Sequence, residues 1–319
     1  MSRVVVTGRI PETAIEKLRA EHDVDAWTGS ESIGREELLH RVAGADAVVS
    51  LLTERIDAEL LDAAGPQLKV VANVAVGYDN IDVPACTERG IVATNTPGVL
   101  TEATADIAMG LVLMATRRLG EGERLIRSGQ AWKWGMFFLL GSSLQGKTLG
   151  VVGMGGIGQA TARRAKAFGV EIVYQSRSEL DPVIAAELGA RRVDLDELLT
   201  VSDVVSLHCP YGPATHHLIG AEQLAAMKSS AFLVNTARGP IVDEAALASA
   251  LREGVIAGAG LDVFEREPQV HPELLDLENV VLVPHLGSAT VETRTAMAML
   301  AADNALAVLS GEQPPAPIN

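Results

Sequence analysis

A glycine-rich turn, set between an apolar run and a helical pattern, constrains this 319-residue chain more than any other feature. The turn reads Gly-Met-Gly-Gly-Ile-Gly over residues 153–158. We expect Gly153 to permit a tight turn, Gly155 to let a pyrophosphate approach the backbone, and Gly158 to allow close packing of helix on strand. The helix start would direct its free N–H groups at the anion. The turn therefore predicts a dinucleotide-binding site.

The overall composition excludes several classes of protein. With 48% hydrophobic residues, the chain can bury a core large enough for two domains. Its formal net charge of -15 disfavours nucleic acid as a partner, because binding a phosphate backbone needs clustered Lys and Arg. Cys86 and Cys209 have neither disulfide nor metal-ligand spacing. No apolar run is long enough to span a bilayer or direct export, so we expect a cytoplasmic protein without a metal or a membrane partner.

Apolar runs alternate with helical patterns along the chain. The first series predicts a parallel α/β unit, and the second, built around the glycine turn, predicts a six-stranded doubly wound dinucleotide-binding plan. An apolar helical pattern at residues 101–118 separates the two series, and a final one spans residues 290–309. The predicted strands are 4–6, 47–52, 70–74 and 91–93 in the first series, and 151–152, 171–174, 204–208, 232–235, 258–263 and 280–283 in the second.

The end of the second strand of this plan distinguishes NAD from NADP. An acid there, about twenty residues past the glycines, would bond the ribose 2′-hydroxyl. Here the strand end reads Ser176-Arg177-Ser178, with no acid before Glu179. Arg177 can bind a 2′-phosphate bidentately, helped by the two hydroxyls, although an arginine at a strand end can also be merely solvated. The sequence favours NADP(H), with NAD(H) as the alternative.

Three polar residues follow apolar strands, at the edge where α/β sheets place their binding crevices. Arg238 is able to anchor a carboxylate, and His285 to exchange a proton near neutral pH. Glu267 is able to orient a histidine and stabilise its protonated form. Taken singly, each is more often structural, so the residues alone leave both interpretations open. Four further histidines lie in or near loops and are predicted to be structural: His208, His216, His217 and His271.

Six blocks of sequence carry a resemblance to a known family. The blocks are residues 73–82, 95–106, 153–158, 235–243, 259–268 and 284–290. In this order they resemble the D-isomer specific 2-hydroxyacid dehydrogenases, above all the glyoxylate/hydroxypyruvate reductase branch. The resemblance implies two doubly wound parallel-sheet α/β domains, a Rossmann nucleotide-binding domain (100–286) inserted in a flavodoxin-like substrate domain (1–99 and 287–319). It also implies a homodimer, embraced by an arm at about residues 120–145.

The catalytic residues of that family fall on Arg238, Glu267 and His285. The resemblance implies that a 2-oxo acid accepts a hydride at C2 from the reduced nicotinamide, and that His285 protonates the resulting oxygen. Arg238 would grip the carbonyl oxygen and the carboxylate, which positions the substrate and offsets the developing negative charge. Glu267 would stabilise the protonated imidazole by Coulomb attraction.

Further contacts follow from the same resemblance. The backbone N–H groups of Val76 and Gly77 would hold the substrate carboxylate, and Gly77 would allow close approach. Ser288, which we expect to cap the final helix, would lie beside the substrate. A tryptophan from the arm of the partner subunit would border the substrate pocket; we favour Trp134, although Trp132 fits equally well by sequence. Coenzyme contacts are implied for Thr104, Gly153, Met154, Gly155, Gly156, Ile157, Gly158, Ser176, Arg177, Ser178, Cys209, Pro210, Thr215, Thr236, Ala237, Asp262 and Gly287.

The resulting prediction is an NADPH-preferring reductase of small 2-oxo acids such as glyoxylate and hydroxypyruvate. A phosphoglycerate dehydrogenase would need a cation in the substrate segment, but no Arg or Lys lies between Val71 and Thr87. Spacing alone does not exclude relatives that act on D-lactate, formate or phosphite. A different class also remains, because dinucleotide-sensing transcriptional corepressors share this fold and can retain the catalytic residues.

Overall fold

The structure, a computed structural model, describes all 319 residues and divides into two compact units. Unit 1 comprises residues 1–100 and 288–319, and unit 2 comprises residues 101–287. These bounds differ by one residue at each junction from the predicted domain limits. None of the helices combines the length and the apolar character that crossing a membrane would require.

Unit 1 starts with strands and helices in alternation. Its elements are β1 Arg3–Val6, α1 Glu12–Arg19, β2 Asp23–Ala26, α2 Arg35–Val42, β3 Ala47–Ser50, α3 Ala58–Ala64, β4 Val70–Asn73, α4 Val83–Glu88 and β5 Val92–Thr94. They form a parallel sheet in the flavodoxin-like order β2-β1-β3-β4-β5. Strands β3 and β4 are buried throughout, as a sheet covered on both faces requires. Strand β2 was missing from the prediction because its sequence, Asp-Val-Asp-Ala, lacks an apolar run and tolerates only an edge position.

Unit 2 contains the glycine turn and a seven-stranded parallel sheet. Its elements are α5 Thr101–Thr116, α6 Leu119–Arg127, β6 Thr148–Val152, α7 Gly156–Ala167, β7 Glu171–Gln175, α8 Pro182–Leu188, β8 Ala190–Arg192, α9 Leu195–Val201, β9 Val204–Leu207, α10 Ala221–Ala226, β10 Phe232–Asn235, α11 Glu244–Glu253, β11 Gly258–Leu261, α12 Pro272–Leu275 and β12 Val280–Leu282. The strand order β12-β11-β10-β9-β6-β7-β8 is the six-stranded Rossmann order with β12 added at one edge. The prediction of six strands was wrong by one, because β8 reads Ala-Arg-Arg and shows no apolar periodicity.

The last helix, α13 (Val291–Ser310), belongs to unit 1 and packs against β3 and β4. Asn304 of this helix donates from Nδ2 to the carbonyl oxygen of Asn95, at 3.0 Å. The expectation that Ser288 caps the helix was wrong. Thr290 is the N-cap, and its hydroxyl accepts the N–H of the third helical residue at 3.0 Å. Ser288 lies two residues too early to reach that N–H group.

The seven parallel strands of unit 2 bring many loops to one edge of the sheet. Helix α5 covers β10 and β11 so closely that a Cβ built on Gly260 would lie 2.9 Å from the Cβ of Leu111. Because parallel strands all point the same way, the loops after β6, β7, β9, β10, β11 and β12 share the carboxyl edge. Open α/β sheets bind ligands at this edge, so the functional site of unit 2 is expected there.

Candidate active site

The glycine turn between β6 and α7 has the shape that a dinucleotide needs. Gly153 has a φ of +94°, and a Cβ on it would lie 2.5 Å from the backbone nitrogen of Cys209. A Cβ on Gly158 would lie 2.2 Å from the carbonyl oxygen of Gly153, so the helix packs directly on the turn. A Cβ on Gly155 would meet no protein atom within 4 Å. Packing within the chain therefore does not require glycine at position 155. A pyrophosphate that approaches the start of α7 closely would require it, because a Cβ would take up that space.

Three threonine hydroxyls predicted to contact the coenzyme differ in how they are bonded. Thr236, after β10, is 8% exposed, and its hydroxyl has no hydrogen-bond partner within the chain. A buried hydroxyl without a partner is costly, which fits a site that a ligand completes. The hydroxyl of Thr104 instead donates to the carbonyl oxygen of Gly287 at 3.1 Å. The hydroxyl of Thr215 accepts the N–H of Gly212 at 2.9 Å, so both of these side chains stabilise loops.

His285 and Glu267, which follow β12 and β11, form a hydrogen-bonded pair. The distance from His285 Nδ1 to Glu267 Oε2 is 2.7 Å, and Glu267 Oε1 accepts the N–H of Phe264 at 3.0 Å. Burial opposes ionisation of Glu267, but the bond and charge of His285, with the charge of Arg238, lower the pKa of this carboxyl below its usual value. Glu267 is therefore anionic at neutral pH. Since it occupies Nδ1, Nε2 is the ring nitrogen that can exchange a proton.

Asp262, at the end of β11, fixes the backbone on both sides of His285. His285 has a φ of +53°, in the left-handed region that few residues other than glycine adopt, and its N–H donates to the carbonyl oxygen of Asp262 at 2.8 Å. The carboxylate of Asp262 accepts the N–H of Leu286 at 2.5 Å and that of Gly287 at 2.8 Å. Burial raises the pKa of Asp262, although these two bonds oppose the rise. The sequence predicted a coenzyme contact for Asp262 but not this support of His285.

Arg238 lies on a turn that packs directly against the loop of Glu267. The side-chain amide of Asn235 clamps this turn, because Nδ2 donates to the carbonyl oxygen of Arg238 at 2.9 Å and Oδ1 accepts a following N–H at 3.0 Å. A Cβ on Gly239 would lie 1.9 Å from the carbonyl carbon of Phe264, so only glycine fits there. This close approach explains why the charge of Arg238 acts on Glu267. The structure thus gathers all three predicted catalytic residues within unit 2.

The end of β7 presents the predicted NADP-binding residues at the surface. Arg177 and Ser178 are exposed, and Ser176 is half-buried. The guanidinium of Arg177 makes no ion pair within the chain, so it is available to a phosphate. Glu179, the first acid after the strand, pairs instead with Arg192 of β8 at 3.1 Å.

The amino-acid sequence and this geometry match a known family. Residues 109–287, more than half of the chain, match the family model described as D-isomer specific 2-hydroxyacid dehydrogenase, NAD binding domain. The chain belongs to the D-isomer specific 2-hydroxyacid dehydrogenase family. It is accordingly an NAD(P)-dependent oxidoreductase.

Several relatives of this dehydrogenase match over nearly its whole length. The glyoxylate reductase of Thermococcus onnurineus is 52% identical over 99% of this chain and 96% of its own. A solved glyoxylate reductase from Paecilomyes thermophila is 38% identical with a TM-score of 0.90, covering 99% of this chain and 98% of its own. An NADPH-dependent glyoxylate/hydroxypyruvate reductase from Sinorhizobium meliloti, solved with NADP and malonate, is 37% identical with a TM-score of 0.86, over 99% and 96%.

In unit 1 of the dehydrogenase, the chain itself orients the two N–H groups predicted to bind a carboxylate. The N–H of Thr96 donates to the carbonyl oxygen of Ala75 at 2.9 Å, and Asn95 Nδ2 donates to that of Val76 at 2.8 Å. In a planar trans peptide the C=O and the next N–H point in opposite directions. These bonds therefore set the directions of the N–H groups of Val76 and Gly77. Sequence reasoning missed Asn95, although its place in one of the shared blocks was a usable signal.

The first two side chains after β9 carry no charge. Burial lowers the pKa of His208 to about 4 and raises the pKa of the Cys209 thiol to about 11, so both are neutral near pH 7. His217, further along this loop, bonds from Nε2 to Glu265 Oε1 at 2.5 Å. This second His–Glu pair ties the loop to the one after β11, and neither of its members is hydrogen-bonded to His285.

The predicted arm of the dehydrogenase exposes most of its apolar side chains. It comprises α6 and the irregular segment 128–145. Trp132 stacks on Phe138 with ring centroids 5.8 Å apart and planes 12° apart. Trp134 is 72% exposed and Phe137 is 89% exposed. The two tryptophans thus differ in their surroundings, because Trp132 stacks on an aromatic ring and Trp134 does not. The role of Trp134 at the partner's pocket stays a prediction.

Proposed function

We propose that the enzyme is an NADPH-preferring reductase that converts small 2-oxo acids, glyoxylate and hydroxypyruvate, to glycolate and D-glycerate. The observation that carries this proposal is the 2.7 Å bond between His285 and Glu267, with Arg238 beside it, at the carboxyl edge of the coenzyme sheet. His285 would be the proton donor, Glu267 its charged partner, and Arg238 the group that binds the substrate carboxylate. Similar full-length relatives bear the name glyoxylate reductase.

The chemistry divides among these three side chains. When bound, the reduced nicotinamide supplies a hydride to C2 of the oxo acid. Arg238 binds the carbonyl oxygen and the carboxylate, which holds C2 in place and offsets negative charge as it develops on oxygen. His285 donates the proton on Nε2 to that oxygen. Glu267 stabilises the imidazolium before the transfer, and in oxidation the same residues act in reverse.

The coenzyme preference rests on the residues after β7. Arg177 would bind the 2′-phosphate bidentately, and the hydroxyls of Ser176 and Ser178 would add hydrogen bonds. The first acid, Glu179, is paired with Arg192 and so does not neutralise Arg177. The turn at 153–158 would hold the pyrophosphate. The NADP in the Sinorhizobium meliloti relative supports this assignment.

The substrate preference rests on unit 1, which we propose as the substrate-binding domain. The oriented N–H groups of Val76 and Gly77 would bind the substrate carboxylate, and Ser288 would contribute beside them. No Arg or Lys lies between Val71 and Thr87 to hold a phosphorylated tail. A small acid without a second charge therefore suits this segment.

We extend the proposal to a homodimer held by the arm. Exposed apolar side chains of this size are rarely clustered on a monomer, and their burial against a second copy would remove them from water. Trp134 would then border the substrate pocket of the partner subunit. Sedimentation velocity of the wild type and of Phe137→Asp tests this idea: we expect a dimer that the substitution weakens. A wild-type monomer would exclude it.

Steady-state kinetics with glyoxylate, hydroxypyruvate and pyruvate, each with NADPH and NADH, test the reaction. We expect the highest kcat/KM for glyoxylate or hydroxypyruvate with NADPH. His285→Ala should lower kcat by about a hundredfold or more, because it removes the proton donor. An unchanged kcat would remove His285 from the mechanism. No coenzyme consumption with any 2-oxo acid would overturn the proposal.

The coenzyme part has a separate test. Arg177→Ala should raise KM for NADPH far more than KM for NADH, because only NADPH carries the 2′-phosphate. Equal effects on the two coenzymes would show that Arg177 does not bind that group.

A further inference from the structure

The short edge strand β8 places Arg192 beside the proposed 2′-phosphate site. In the sheet register, Arg192 pairs with Tyr174 of β7, just before the chain leaves that strand. Its Nη2 donates to the carbonyl oxygens of Ser176 at 2.9 Å and of Arg177 at 3.2 Å. One guanidinium nitrogen thus joins two successive peptide groups of the segment 176–178.

These two bonds also fix the directions of the N–H groups that belong to the same two peptide groups. In a planar peptide the N–H is directed away from the C=O, so holding the two carbonyls turns the N–H groups of Arg177 and Ser178 away from Arg192. Neither N–H donates to a backbone carbonyl of the chain. Successive N–H groups that point to one side form a concave anion site. The side of the segment away from Arg192 is therefore suited to a phosphate.

Arg192 also sets the local charge. Its Nη1 lies 3.1 Å from Glu179 Oε1, in an exposed ion pair that adds little to stability. The pair keeps Glu179, the first acid of this loop, next to a cation. Without Arg192, Glu179 would be free to pair with the guanidinium of Arg177, which lies two residues away along the chain. A carboxylate paired with Arg177 would compete with the 2′-phosphate.

We infer that Arg192 is a specificity-determining residue that positions the segment 176–178 for the 2′-phosphate of NADPH without binding the coenzyme itself. This inference rests on the proposed preference for NADPH. It assigns function to a residue in a strand that sequence periodicity does not reveal.

The neighbouring residue provides a matched control. Arg191 is also an exposed arginine of β8 in an ion pair, with Glu197 at 2.6 Å, but it makes no hydrogen bond to the segment 176–178. Replacing Arg191 by alanine removes the same charge from the same strand. Any difference between the two variants therefore reports the contacts of Arg192 with the segment 176–178 and with Glu179.

The experiment compares kcat and KM for NADPH and for NADH in the wild type, Arg192→Ala and Arg191→Ala. We expect Arg192→Ala to raise KM for NADPH about tenfold, a loss of the size that misplacing one bidentate contact produces, with KM for NADH and kcat changed less than about twofold. Arg191→Ala should leave all four constants near the wild type. A double variant with Arg177→Ala should be less than additive, because Arg192 acts through the segment.

Arg192→Lys distinguishes the effect of the hydrogen bonds to the segment 176–178 from the effect of the charge, since lysine keeps the charge but lacks the planar guanidinium. We expect this variant to stay impaired with NADPH; full recovery would overturn the positioning role. Equal effects of Arg192→Ala and Arg191→Ala, with a normal Arg177→Ala response, would overturn the inference alone. A wild type without preference for NADPH would overturn the coenzyme proposal and the inference together.

Discussion

Replacing Glu267 by glutamine tests the charge beside His285 while it keeps the size of the side chain. Glutamine can still accept the N–H of Phe264, but it removes the negative charge that lies 2.7 Å from His285 Nδ1. Hydrogen bonds to charged groups contribute about 1.5–3 kcal/mol. The two side chains are 28% and 32% exposed, so we take the lower limit to allow for solvent screening. At about 1.4 kcal/mol per factor of ten, the loss corresponds to a roughly tenfold lower rate.

The sign follows from the form of His285 that reacts. Reduction of the oxo acid uses the protonated ring, which the carboxylate of Glu267 stabilises, so Glu267→Gln should lower the rate of reduction about tenfold. Oxidation of the hydroxy acid places a proton on the neutral ring, so the same substitution should also lower the rate of oxidation. Because the pKa of Glu267 is below its usual value, the wild-type pair persists through the neutral range and is lost only as acid protonates the carboxylate.

The assay is kcat/KM against pH in both directions, with coenzyme saturating. Glu265→Gln is the control, because this neighbouring acid bonds His217 rather than His285, and its rates should match the wild type. The gap between the wild type and Glu267→Gln should persist through the neutral range and close only in acid, where the wild-type carboxylate is protonated. Equal rates for Glu267→Gln and the wild type near pH 7 would refute the reasoning.

Three other outcomes follow from the structure. Gly155→Ala should fold normally yet raise KM for NADPH about tenfold or more. Gly158→Ala should lower the free energy of unfolding by about 1–3 kcal/mol, because its Cβ would lie 2.2 Å from a backbone oxygen. Similar melting temperatures for the two variants would contradict this difference. Thr290→Ala should cost about 1 kcal/mol in denaturant unfolding and Ser288→Ala almost nothing, because only Thr290 caps α13. Burial raises the pKa of Cys209 to about 11, so alkylation mapped by mass spectrometry should be slow until the chain is unfolded.

The parts of the fold that were predicted correctly depend on local patterns. The turn at 153–158 could be recognised from the spacing of its glycines. The central strands could be recognised because a parallel strand is buried on both faces and is therefore apolar along its length. Strands β2 and β8 could not, since an edge position imposes no apolar periodicity on their sequences. The missed strand β8 also concealed Arg192, whose contacts exist only through the sheet register.

The candidate site was less accessible to sequence reasoning than the fold. Arg238, Glu267 and His285 follow three different strands, and each alone is an ordinary polar residue at a strand end. The resemblance to a family, not spacing, singled them out. Their arrangement depends on tertiary contacts such as the approach of Gly239 to Phe264, which no local pattern encodes.

The bond from the Thr104 hydroxyl to the carbonyl oxygen of Gly287 joins the two ends of unit 2. A segment that enters and leaves at adjacent points can be inserted into a host chain, or removed from it, without rerouting either part. Residues 101–287 therefore form an insertable unit, and it includes the glycine turn, the segment 176–178 and all three proposed catalytic side chains. We expect that grafting this unit into another member of the family would transfer the proposed coenzyme choice and proton chemistry in one piece, while the recipient would keep its own proposed carboxylate-binding loop.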